Sequence, residues 1–139
     1  MSQFLGKWKS NKESRKNFEE FVKKSGVPDP IAERWRNADS TLEVDNSGDT
    51  WTMTLNSTMF PKPREYKFKL GEEVSTKDNQ GKDIKFTAKI NDDGSWTDVS
   101  RAEMMGWKPT TTTRRVEGNK MLITVETDAA SMSFEMDKL

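Results

Sequence analysis

"KNFEEFVKKSGVPDPIAERWRN", residues 16–37, decides how the chain is read, because its periodicity differs from that of everything after it. Phe18, Phe21 and Val22 stand at i, i+3 and i+4, one apolar stripe of a helix. Asn17 stands where a cap belongs, and Gly26 where a helix ends. A second helix opens with Asp29 as its cap and Pro30 in its first turn, where a missing N–H costs nothing. Ile31 and Trp35 then fall one turn apart. Each helix is about two to three turns long, too short to stand alone in water, so both need a surface to pack on.

From Thr41 onward the period is two, the alternation of a half-buried strand. Leu42 and Val44 alternate with Glu43 and Asp45, and Trp51, Met53 and Leu55 with threonines and Asn56. The runs "REYKFKL", "DIKFTAKI", "WTDVSRAE", "PTTTTRRVE", "KMLITVETD" and "SMSFEMDKL" continue to the end, separated by Gly, Asn and Asp turns such as "DNSGD" and "NDDGS". With a strand at residues 6–10 and a short one at 72–76, about ten strands are expected, in an antiparallel up-and-down meander. Half-polar strands in this number need closure into a barrel, or an edge is left unpaired.

The totals restrict function. The 139 residues fit one domain, residues 1–139. The chain carries 23 Lys and Arg against 23 Asp and Glu, so a nucleic-acid footprint is not expected. Cysteine and histidine are both absent, which removes thiol chemistry, disulfides, a histidine triad and the usual zinc ligands. Neither a metal nor a cofactor is expected. The opening "MSQFLGKWKS" has no apolar run, and no window approaches the roughly 20 apolar residues of a membrane span. A soluble cytoplasmic protein follows as the default. Charge is uneven: residues 1–37 hold nine basic and five acidic side chains, and the remainder carries the opposite balance.

Four segments, "FLGKWK" (4–9), "NFEEFVKKSGV" (17–27), "KFKLGEEV" (67–74) and "RRVEGNKM" (114–121), resemble in order and spacing the intracellular fatty-acid-binding protein family, which includes the cellular retinoid carriers. The resemblance runs nearly end to end. It implies an all-β, ten-stranded antiparallel barrel (a clam) with a helix–turn–helix lid between the first two strands. The chain departs from the family pattern at Ser10, in about two extra residues between Trp8 and Phe18, and in a longer stretch at 59–63.

The resemblance also implies a site. The lid residues Phe18, Phe21 and Val22 would face the cavity. The family usually holds a carboxylate head group with an arginine on the eighth strand and an Arg-x-Tyr pair on the tenth. Here Arg114 takes the first position, while the pair falls on Phe134 and Met136. Each lost charge-assisted hydrogen bond is worth roughly 1.5–3 kcal/mol, so the usual clamp is depleted. A head group near Arg114 remains the expectation. Strand parity alone leaves either Arg114 or Arg115 as the inward one. An inward arginine needs a partner, which Asp98, sharing the parity of Trp96 and Ser100, can supply. Leu55, Met59, Thr112, Ile123 and Val125 complete the ligand-binding set; Leu42, Met53, Phe60, Ile84, Phe86 and Met132 are further wall residues. Trp8 reads as a plug at the barrel base. Eight methionines suit a soft lining.

The function that follows is a monomeric, non-enzymatic carrier of a fatty acid or related hydrophobic ligand. A retinoid or neutral-lipid carrier is the alternative, or a barrel used for protein interaction or nuclear shuttling. A secreted lipocalin would normally bring a signal peptide and disulfides, and an enzyme would have to work with carboxylates alone. Lys23, Lys24, Arg34 and Arg36 make the lid basic, which suits transient contact with anionic membranes, each charge being worth roughly 1 kcal/mol there.

Overall fold

The computed structural model describes residues 2–58, 62–77, 81–103 and 106–139. Met59 and Phe60, expected on the cavity wall, lie outside the described residues. A single turn of 3-10 helix, Ser2–Phe4, leads into β1 (Gly6–Lys16). Two helices follow, α1 (Phe18–Lys24) and α2 (Asp29–Asn37). The first group of strands is β2 (Ser40–Ser47), β3 (Thr50–Ser57), β4 (Arg64–Lys69) and β5 (Val74–Lys77). The second is β6 (Asp83–Ile90), β7 (Trp96–Ala102), β8 (Pro109–Glu117), β9 (Lys120–Glu126) and β10 (Ser131–Lys138).

All ten strands belong to one antiparallel sheet in the order β4-β3-β2-β1-β10-β9-β8-β7-β6-β5. The sheet curls into a nearly closed barrel, with β1 pairing β10. Closure is partial, and the edges that remain are β4 and β5, the two ends of the order. Side chains span the gap instead. The ring of Phe86 meets Phe68 at 5.6 Å and Tyr66 at 5.7 Å, both edge-on. Beyond β4, the Gly71 N–H donates to the Ala88 carbonyl at 2.8 Å, a backbone bond between the β4–β5 turn and β6. Gly71 has a φ of +81°, a conformation that favours glycine.

The first strand is longer than its apolar pattern suggests. Between the Asn11–Glu135 and Lys16–Ser133 pairs β1 advances five residues while β10 advances two. The surplus relative to β10 forms a bulge within the strand. Ser14 holds it: its Oγ donates to the Asn11 carbonyl at 2.6 Å and accepts the Glu135 N–H at 2.7 Å.

The helix pair packs through the stripe read from sequence, with Phe18, Phe21 and Val22 buried beside Ala32 and Met132. Asn17 does not cap α1 with its side chain. It adopts a left-handed φ of 63°, and its Nδ2 donates to the Ser131 carbonyl at 2.7 Å, tying the helix start to β10. At the other end the Val27 N–H reaches the Val22 carbonyl and the Gly26 N–H the Lys23 carbonyl, a Schellman ending with Gly26 at φ +72°. The cap of α2 is Pro28 rather than Asp29, because the Pro28 carbonyl already accepts from Ile31 and Ala32.

The interior divides in two. At the base, Phe4, Trp8, Val44, Trp51, Phe68, Phe86, Trp96 and Met121 form a close-packed cluster. Phe4 meets Trp96 edge-on at 5.3 Å, and the Trp8 indole N–H donates to the Phe4 carbonyl at 3.1 Å. Under the helices the barrel is hollow.

Candidate ligand cavity

The hollow half has a volume of about 460 Å³, within the ordinary range for a small-molecule site. Strand register dictates its wall. Trp96 pairs Arg114, Arg114 pairs Ile123, and Ile123 pairs Phe134, so these side chains share one inward row across four strands. One step toward the lid the row is Asp98, Thr112, Val125 and Met132. Phe18 and Phe21 form the ceiling from α1. Leu42, Met53 and Leu55 line the opposite wall, and Met136 lies next to Ser10 across the β1–β10 seam.

Arg114, Phe134, Met136, Phe18, Phe21, Leu55, Thr112, Ile123 and Val125, all named from sequence, thus line one space. Val22 is buried within the lid cluster and is absent from the lining. Asp98 has the expected parity, is buried against Arg114 and Trp96, and is not part of the lining. Of the further wall residues, Phe86 belongs to the aromatic base, and Ile84 is not part of the lining.

Sequence reasoning did not place Ser10, Arg15, Val27, Trp35, Ala38, Ser40, Thr110 and Thr127 at the cavity, which they also line. Thr110 was findable, since it is two residues from Thr112 on the same strand. Arg15 was not, because it sits in the bulge, where parity fails.

The electrostatics of the cavity floor turn on Arg114. Its Nη1 donates to Asp98 Oδ2 at 2.5 Å, and both side chains are close to nine-tenths buried, at 12% and 11% exposure. The other carboxylate oxygen accepts the Trp96 indole N–H at 2.7 Å. The guanidinium also lies over the Trp96 ring, 5.2 Å from its centroid. Arg114 Nε is shut off from solvent and has no acceptor among the described residues. Arg114 is therefore the inward arginine, and its charge is matched inside the protein. Arg115 points out, half-exposed, and bonds Asp93 at 2.9 Å.

The lid is less basic than its sequence suggests. Lys24 pairs with Glu20 at 2.5 Å, and Arg36 pairs with Glu19 at 2.6 Å and with Glu33. A larger surface groove of about 580 Å³ lies at the far end of the barrel, beside Asp49, Lys69 and Glu72. It is open and charged, and offers an acyl chain no enclosing apolar wall.

The model of the lipocalin / cytosolic fatty-acid binding protein family matches residues 2–100. A fatty acid-binding protein of Schistosoma japonicum is 31% identical over 128 residues, 92% of each chain. Fatty acid-binding protein homolog 6 of Caenorhabditis elegans is 32% identical over 127 residues, 91% of this chain and 90% of its own. The solved structure of a Schistosoma mansoni fatty acid binding protein, in complex with arachidonic acid, has a TM-score of 0.86 at 28% identity, over 100% of this chain and 98% of that one.

Proposed function

Since the chain belongs to the lipocalin / cytosolic fatty-acid binding protein family, we propose that it carries a fatty acid or a kindred long-chain amphiphile in the hollow half of its barrel. The observation that carries this reading is the 460 Å³ cavity under the helices, bounded mainly by Phe, Leu, Ile, Val and Met side chains. Each methylene transferred from water into such a wall contributes roughly 0.8 kcal/mol, a non-directional gain that a chain of many methylenes multiplies. The work is carriage, not catalysis. Arg114 and Asp98 are already bonded to each other, and no carboxylate stands among the described lining residues.

The proposed carrier acts as a monomer in the cytoplasm, in keeping with the cytosolic family it matches. Its proposed contact with anionic membranes depends on Lys23 and Arg34, because Lys24 and Arg36 are engaged by carboxylates. The test of carriage is native mass spectrometry of freshly purified protein, with organic extraction of any adduct and displacement of a fluorescent fatty acid. A lipid adduct and micromolar or tighter displacement are expected. Protein that arrives empty and displaces nothing refutes the reading.

A further inference from the structure

The two cations among the described lining residues are Arg15 and Arg114. They stand in opposite circumstances. Arg114, on the cavity floor, is already ion-paired with Asp98, and its Nε is out of reach of a water molecule. A carboxylate arriving there would meet an already neutral pair, in which one guanidinium donor is spent on Asp98 and Asp98 is also held by the Trp96 indole. Next to that pair the floor is mainly apolar, with Ile123, Phe134 and Met136, and its neighbouring polar groups, Thr112 and Ser10, are uncharged.

Arg15 is placed by the bulge of β1. Its Nη1 donates to the Arg36 carbonyl at 3.0 Å, and its guanidinium carbon sits 4.9 Å from the centroid of the Phe18 ring, the ceiling of the cavity. No carboxylate among the described residues lies within ion-pair distance of it. Glu19, its acidic neighbour, is taken by two hydrogen bonds from Arg36, at 3.0 and 2.6 Å. An arginine has five N–H donors, so most of this fork is free to meet a planar, bidentate acceptor. Burial also lowers the pKa of this guanidinium, and Glu19 only partly opposes that, the mark of a cation short of a counter-charge.

We propose that a long-chain carboxylate lies in this barrel tail-down, with its head group at the mouth against Arg15 rather than on the floor beside Arg114. The orientation rests on the carrier reading. It follows from matching charge to charge: the tail fills the apolar floor, and the carboxylate keeps contact with water at the rim. The bulge is then a specificity device, since it is what brings a cation over the mouth.

The test compares oleate with oleyl alcohol, which shares the chain and lacks the charge. In Arg15→Gln the ratio of oleate to oleyl alcohol affinity should fall about tenfold, the scale of losing one charge-assisted contact at a partly solvated site. A ratio within twofold of the unmodified protein overturns the proposal. A second readout needs no variant. Oleate labelled with ¹³C at its carboxyl carbon should, when bound, be broadened by a soluble gadolinium chelate and should titrate with bulk pH. A bound resonance that resists both places the head group on the floor and overturns the proposal. If neither lipid binds the unmodified protein, the carrier reading fails and takes the orientation with it.

Discussion

Arg114→Met removes one half of a pair whose two side chains are 12% and 11% exposed. Methionine keeps much of the length and packs on Trp96, so the loss is chiefly of charge. It leaves Asp98 buried with a single indole donor. Breaking a buried pair from one side costs about 3–5 kcal/mol, because the surviving charge is stranded. For a domain of this size that corresponds to a fall in melting temperature of about 10–15 °C. Asp98→Asn is expected to be milder. Asparagine still offers an acceptor to the indole, and the stranded Arg114 can reach water in the cavity. The informative protein carries both changes. With no charge left to strand, it should lose only about 1–2 kcal/mol, less than Arg114→Met alone. Urea midpoints at constant m-value measure all three. A double variant at least as unstable as the sum of the singles would show that the two residues act independently, and the pair would then be a geometric coincidence.

Three further outcomes can be checked. The Ser95 hydroxyl and N–H, followed by Arg115, hold the Asp93 carboxyl down at about 2 from 3.8, so its contribution is present above about 3.8 and disappears as pH falls toward 2. The difference in urea midpoint between the unmodified protein and Asp93→Asn should shrink over that window; a difference that stays constant counts against the assignment. Asn17→Ala loses the bond to the Ser131 carbonyl and forces alanine to a φ of 63°, so it should cost about 2 kcal/mol, with Asn17→Gly less damaging because it relieves the backbone. Equal losses in the two would exclude strain. Replacing Lys23 and Arg34 with Gln should slow lipid transfer from anionic vesicles and weaken its salt dependence. Transfer rates equal to the unmodified protein's at low salt leave the lid with no membrane role.

The strands from β2 to β10 were legible because alternating or β-branched runs stand between turn residues, as in "PTTTTRRVE", which is β8 from end to end. The second half of β1 was not, because "NKESRK" has no apolar alternation to read. Its strand geometry comes from β10 and from Ser14, a long-range partner that no local pattern announces. The same cause hid Arg15. Register inside a bulge depends on how many residues are surplus, and that number is visible only once the neighbouring strand is in place. The unpaired β4 and β5 were also out of reach, since closure depends on accumulated twist and tilt, whereas alternation reports only which face is buried. The lid stripe and the lining on β9 and β10 were readable because one parity decides each strand, whereas on β8 the choice between Arg114 and Arg115 came from the ion pairs.

The pairing of Arg114 with Asp98 bears on what the empty protein is like. An arginine left facing an apolar cavity without a counter-ion would be a standing cost, relieved only when an anionic ligand arrives. Stability would then rise with anionic ligand through the floor of the barrel, and an empty protein would be fragile. Here the counter-ion is supplied by the chain, from β7, and locked by Trp96 within the aromatic base. The solid half of the barrel therefore carries its own charge balance and does not need the hollow half to be filled. On the proposed orientation, ligand energetics are left to the apolar wall, the helices and the rim. Phe134 and Met136 agree with this division, since with the floor arginine already neutralised, apolar side chains on β10 strand no charge.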